Sequence, residues 1–214
     1  MGVTTALAAF SVAALILTIT PGLDTTLVLR AALTGQRRAA LQAGLGIIAG
    51  MAVWGIAAAL GIGLLLSLSM VAGAIIRLVG AAYLFALGVQ FMRRPRQQIE
   101  IADQRGPGRA WLRRGFLSNL LNPKIGVFYA TLLPQFLPVG VAPTPFLLLL
   151  TAIHMIETIL WFVLLTLAAA RFAAALRRPA VIRAIDRVTG AVLFGFGAKL
   201  LYDFAQSLRG ARAA

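Results

Sequence analysis

From Leu41 to Ile76 the chain runs for thirty-six residues without one charged side chain. A bilayer core about 30 Å thick needs about 20 consecutive apolar residues for each helical crossing. A run of this length therefore holds nearly two crossings joined by a short turn, with Ser67 and Ser69 marking the polar break. Comparable apolar stretches flank it. Over the whole chain 60% of residues are hydrophobic, 12% are charged and the mean hydropathy is +0.91, which leaves too little polar surface to cover a soluble domain of 214 residues. The chain reads as an all-α integral membrane protein, in which an ionisable residue at membrane depth is costly and therefore informative.

Windows of about 20 apolar residues place six transmembrane helices at 7–29, 41–64, 70–92, 115–137, 145–170 and 186–207. The net charge of +14 comes almost wholly from arginine, which supplies eighteen of the twenty basic residues, and these sit in short segments between the apolar runs. That distribution is a topology signal and not a nucleic-acid surface, because no basic and aromatic residues interleave on an exposed stretch. The first connection holds Arg30, Arg37 and Arg38, the third seven arginines from Arg93 to Arg114, and the fifth five from Arg171 to Arg187. The second and fourth hold none, so the odd-numbered loops are expected in the cytoplasm and both termini outside; Arg209 and Arg212 argue weakly against this. No basic segment precedes the first apolar stretch, which favours a retained span over a cleaved signal. The absence of cysteine removes disulfides, thiolate metal sites and cysteine nucleophiles.

The third connection, rich in Arg, Pro and Gly, reads as a cytoplasmic linker at about 93–114 between a first repeat at about 1–92 and a second at about 115–214, all within one transmembrane domain. Each half has three spans. Related halves with an odd number of spans must enter the membrane in opposite senses, which makes them inverted repeats. Thr20-Pro21-Gly22 interrupts the first span and Asn122-Pro123-Lys124 the fourth, the first of the second half. Proline deletes a helix hydrogen bond and frees a carbonyl. In lipid such breaks persist where they face protein, water or cargo, so interrupted first and fourth helices point to a binding site. The simpler alternative is a pair of kinks that only shape the helices.

Six acidic or basic residues are singled out inside these spans besides His154: Asp24, Arg77, Lys124, Glu157, Lys199 and Asp203. Asp24, three residues after Pro21, suits an ammonium group or a proton; the alternative is a structural pair with Lys124. Lys124, beside Pro123, suits a carboxylate of the cargo or holds Asp24 ionised. His154 and Glu157 lie three apart on one face of the fifth span and form either a proton relay or a polar pair between helices. With one histidine and no cysteine, no metal site is expected. Lys199 and Asp203, four apart, suit an intrahelical pair. Gly46 and Gly50 form a small-residue motif for close helix contact.

Thr20-Pro21-Gly22-Leu23-Asp24 in the first span resembles one signature segment of the LysE/RhtB family of bacterial amino-acid exporters. The fourth span resembles the other, in Gly115-Phe116, Asn119, Asn122-Pro123-Lys124, Phe128-Tyr129 and Leu133-Pro134-Gln135-Phe136. The likeness extends over essentially the whole chain. One departure is Leu23, where the family commonly has a second proline. The resemblance implies a transporter and not an enzyme, located in the bacterial cytoplasmic membrane. It would export amino acids or close derivatives, in exchange for protons and without a cofactor. The motif residues carried over are Pro21, Gly22, Asp24, Asn119, Asn122, Pro123 and Lys124, with Asp24, His154 and Glu157 as candidates for proton coupling. The rival readings are a transporter of metal cations or other small metabolites on the same scaffold, an intramembrane enzyme, which a single histidine disfavours, and an assembly subunit. Small residues along the second and sixth spans would also allow a homodimer.

Overall fold

A computed structural model of the protein describes residues 2–33, 37–68, 70–94, 108–176 and 178–213. Most of the expected linker lies outside the described residues, as do the side chains of Arg77, Asp203, Arg209 and Arg212. Every regular element among the described residues is helical. The elements are α1 (Val3–Ile19), α2 (Leu23–Leu33), α3 (Arg37–Leu68), α4 (Met70–Arg93), α5 (Gly108–Leu120) and α6 (Pro123–Val127). A π-helical turn (Phe128–Leu132) and a 3-10 turn (Leu133–Phe136) follow, then α7 (Pro143–Leu167), α8 (Ala169–Leu176) and α9 (Pro179–Ala213). Among the described residues three helical stretches are long and apolar enough to cross a bilayer, Arg37–Gly61, Pro143–Leu167 and Pro179–Gln206. The pair α1 and α2, bent by 53° at its break, makes a fourth if counted as one span. The described residues thus form an all-α fold with three to four apolar spans.

Both expected interruptions are present. α1 stops at Ile19, where Thr20 turns extended, and α2 begins at Leu23 after Pro21 and Gly22. α5 stops at Leu120, and Asn122 caps a new start at Pro123, its side-chain oxygen accepting from the Lys124 amide. The second interruption runs further than a single kink. Pro134 has no N–H to give to the preceding turn, and the helix rewinds through a π turn and a 3-10 turn before ending at Phe136. At their other edges the elements outrun the apolar windows. α5 starts at Gly108 and not at 115, and α9 starts at Pro179 and not at 186, where proline suits the first helical turn because its missing N–H would lack a partner anyway.

Large apolar side chains face outward as well as inward. In α7 the buried face mixes Leu147, Leu150 and Leu165 with Thr151, His154 and Thr158, while Leu149, Ile156, Leu160 and Leu164 are exposed. α3 likewise exposes Leu41, Leu45, Ile56 and Leu60. An apolar exterior of this kind fits a hydrocarbon surround. Association of such helices relies on close contact and not on water release, and glycine supplies the contact. A Cβ on Gly46 would lie 2.0 Å from the Leu112 carbonyl oxygen, and one on Gly115 would lie 2.1 Å from that of Ala43, so α3 and α5 touch backbone to backbone. Gly88 and Gly190 do the same for α4 and α9. α3 packs on both α5 and α7, α1 packs on α7, and α4 packs on α9.

Two apolar cores result. One gathers Phe10, Phe128, Tyr129 and Phe136 around α1 and the π turn; the other gathers Ile47, Met51, Trp111 and Phe162 around α3 and α7. The polar residues of the two breaks lie at the seam between them.

Candidate functional site

At that seam is a cavity of about 30 Å³, room for a small number of water molecules. Leu17 and Ile125 bound it from the first core and Ile47, Met51 and Phe162 from the second. Its polar lining is Gly22, Asp24, Asn119, Asn122, Lys124 and His154, together with Thr18, Thr25 and Thr158. Five of the seven residues singled out by the signature segments therefore face one small space. The other two, Pro21 and Pro123, make the breaks that bring them there.

Asp24 lies in the first turn of α2, where unsatisfied amides and the helix dipole favour a carboxylate. Asn119 Nδ2 donates to its Oδ2 at 2.8 Å, Asn122 Nδ2 to the same oxygen at 3.3 Å, and the Ser118 hydroxyl to Oδ1 at 3.1 Å. Two of the donors belong to α5 just before the second break, and Asn122 stands in the break itself. Lys124 reaches the opposite way. Its Nζ donates to the carbonyls of Leu17 at 2.9 Å and Thr20 at 3.1 Å, the last turn of α1 just before the first break. A cation at a helix C-terminus is favoured by the dipole and satisfies carbonyls that the break has freed. The charged residue following each break thus serves the segment preceding the other.

Other hydrogen bonds brace this exchange. The Thr20 hydroxyl donates to the Ile16 carbonyl at 2.6 Å, so its 2.7 Å contact with the Thr189 hydroxyl of α9 is one in which Thr189 donates. The Thr26 hydroxyl lies within 2.9 Å of the Gly22 carbonyl and 2.8 Å of the Leu23 carbonyl. Asn119 is fully buried. Its Nδ2 serves Asp24, while its Oδ1 has no partner and packs against α3. A Cβ on Gly50 would sit 2.8 Å from that oxygen and 2.9 Å from the Asn119 Cβ, so the amide fits only because residue 50 has no side chain.

His154 and Glu157 share α7 but have different neighbours. The His154 ring stacks on Tyr129 with centroids 5.7 Å apart, and its Nδ1 is 3.2 Å from the Tyr129 hydroxyl. Glu157 lies near Ser11 of α1, its Oε2 is buried without a partner, and it does not line the cavity. The two therefore face separate elements. Lys199 is exposed on α9, away from the cavity lining.

Sequence reasoning missed Ser118, Thr18 and Thr158, and it named Tyr129 only as part of a motif. For Ser118 a signal was available, since Ser118, Asn119 and Asn122 recur at the helical spacing that puts them on one side of α5. Tyr129 depends on the π turn, which no periodicity reveals. Asp186, at the edge of the expected sixth span, is fully buried in α9.

Residues 15–204 match the family of LysE type translocators. The chain belongs to that family. Among similar proteins is the threonine efflux protein of Escherichia coli strain K12, 31% identical over 193 residues, 85% of this chain and 90% of that protein. The homoserine/homoserine lactone efflux protein of Salmonella typhi is 29% identical over 195 residues, 90% of this chain and 94% of that protein. The uncharacterized membrane protein YrhP of Bacillus subtilis is 29% identical over 196 residues, 87% of this chain and 93% of its own length. No solved structure matches the chain.

Proposed function

We propose that this LysE-type translocator exports amino acids across the bacterial cytoplasmic membrane by exchange with protons. Its spans would number six, in two inverted repeats of three, with the arginine-rich odd loops in the cytoplasm and both termini outside. The observation that carries the reading is the exchange between the breaks. A zwitterion needs an anionic group and a cationic group a few ångströms apart, shielded from bulk solvent, and the cavity presents Asp24 and Lys124 on its walls.

In this reading Asp24, held by the Asn119 amide, receives the cargo's ammonium, and Lys124 turns from the α1 carbonyls to the cargo's carboxylate. Pro21, Gly22, Asn122 and Pro123 hold these groups at the breaks. The cavity is too small for an amino acid, so loading requires the two halves to part. Packing of each broken helix on the other half's second helix, α1 on α7 and α5 on α3, supports an inverted arrangement that opens by rocking. His154, on the cavity wall, and Glu157, between α1 and α7, stand beside Asp24 as candidates to carry the proton. Returning one proton inward for each neutral zwitterion moves one charge, worth about 2.3 kcal/mol per 100 mV, which sustains roughly a fifty-fold gradient. The efflux activities named for the threonine and homoserine relatives support the cargo class.

The test loads cells with amino acids supplied as dipeptides and follows their appearance outside, with and without the protein. Faster export of at least one amino acid is expected. It should be abolished by a protonophore and by Asp24→Asn in protein still present in the membrane. No acceleration for any amino acid, or full export by Asp24→Asn, contradicts the reading.

A further inference from the structure

A threonine hydroxyl inside an apolar helix ordinarily bonds back to the carbonyl one turn earlier. Thr151 and Thr166 of α7 do so at 2.8 and 2.7 Å, as do Thr20 and Thr131 at 2.6 and 2.7 Å. Thr18 of α1 and Thr158 of α7 instead face each other, their hydroxyl oxygens 3.4 Å apart. That is longer than the roughly 2.5–3.0 Å of a good O–H···O bond. Both residues are buried and both line the cavity. Two hydroxyls that are held loosely, in the wall of a space already equipped for an ammonium and a carboxylate, are suited to being bridged by a third.

The rest of the lining narrows what brings that third hydroxyl. Asp24 is the cavity's single carboxylate, and the proposed site engages it with the cargo's α-ammonium. A second positive charge on the side chain would then be buried without a counter-charge, at high cost. Ile47, Met51 and Phe162 offer a surface for a methyl or methylene group. Because α1 and α7 meet here through a weak polar contact, the wall can part at this point with little loss.

We infer that Thr18 and Thr158 read the cargo's side chain and select a neutral amino acid that carries a hydroxyl group. This rests on the amino-acid export reading above. The cargo hydroxyl donates to one threonine oxygen and accepts from the other, replacing the 3.4 Å contact with two shorter bonds. An amino acid of the same shape with a methyl group instead leaves both hydroxyls poorly satisfied.

The test uses pairs matched in shape, threonine against valine and homoserine against norvaline, supplied together as dipeptides to cells carrying the intact protein. The wild type should export the hydroxylated member of at least one pair about tenfold faster, the size expected of one or two neutral hydrogen bonds. In Thr18→Val with Thr158→Val that preference should fall to near parity while the apolar member is still exported, and the corresponding serine variants should keep it. Parity in the wild type overturns the inference without needing any variant. So does an unchanged preference in the valine variants with export intact, and both outcomes leave amino-acid export standing. Absence of export for every amino acid tried overturns the export reading and this inference with it.

Discussion

The two helix breaks solve the same problem in different ways. At the second break the chain closes its own gap: the Asn122 side chain caps α6, and the Asn122 carbonyl accepts from the amides of Ile125 and Gly126 at 3.1 and 3.0 Å. At the first, the carbonyls of Leu17 and Thr20 are satisfied by Lys124, a residue more than a hundred positions away. The first break is therefore held by a tertiary contact and the second by local chain geometry. What the second break sends back is of another kind, amide and hydroxyl donors to the Asp24 carboxylate. The exchange is reciprocal in position and unequal in consequence. Removing the cation should loosen the first half, whereas exchanging the anion for its isosteric amide in Asp24→Asn, which keeps an acceptor for these donors, should disturb the fold less and remove the place where cargo binds.

The largest effect on stability is expected from Lys124→Met, which leaves two inward-facing carbonyls without a donor at about 1–3 kcal/mol each. Thermal unfolding of the purified protein in detergent should shift down clearly, and Lys124→Arg should recover much of the loss. An unshifted midpoint would mean that the first break does not depend on its partner. Gly46→Ala comes next: its methyl group meets the Leu112 and Phe116 backbone, and overpacking of that kind costs about 1–3 kcal/mol. Gly50→Ala sharpens the contrast, because the atoms nearest its methyl group belong to the Asn119 side chain and not to backbone. It should cost less stability than Gly46→Ala yet slow export severalfold by turning the amide away from Asp24. Equal losses of stability and export in the two variants would remove the distinction between a packing glycine and a positioning one. The smallest effect, about 1 kcal/mol, is expected for Asn122→Ala, which loses a helix cap and the longest of the three Asp24 contacts. A midpoint shift as large as that of Lys124→Met would contradict a second break that is mostly self-sufficient.

Much of this was legible in the sequence because the breaks announce themselves chemically. Proline beside glycine or asparagine inside an apolar run leaves backbone groups that must be served, and the ionisable residues next to it are the natural candidates. Pro21, Asp24, Asn122 and Lys124 could be placed at one site on that ground. What a sequence does not carry is which partner each group chooses. Asp24 and Lys124 could equally have paired only with each other; their crossing to the opposite break depends on how α1 and α5 lie against α7 and α3. The rewinding after Pro123 was hidden because an apolar window that runs on to 137 averages over Pro134 and Gln135. The His154 contact with Tyr129 and the facing of Thr18 by Thr158 depend on tertiary neighbours, as does Gly50 beneath Asn119. Helix ends at Gly108 and Pro179 fell outside the apolar windows because Arg109, Arg113 and Arg114, and Arg183 and Arg187, interrupt the apolar run within the opening turns.

The claim that both breaks build one binding site is tested most directly by cargo-induced stabilisation. The amino acid exported best is titrated onto the purified wild type, Asp24→Asn, Lys124→Met and the double variant, and the unfolding midpoint is followed. A ligand that binds only the folded protein stabilises it by about 2.7 kcal/mol at a hundred times its Kd. One shared site predicts a clear upward shift in the wild type, little or none in either single variant, and no further loss in the double. A full shift in Asp24→Asn, or losses that simply add between the two variants, would mean that cargo does not bind between the breaks.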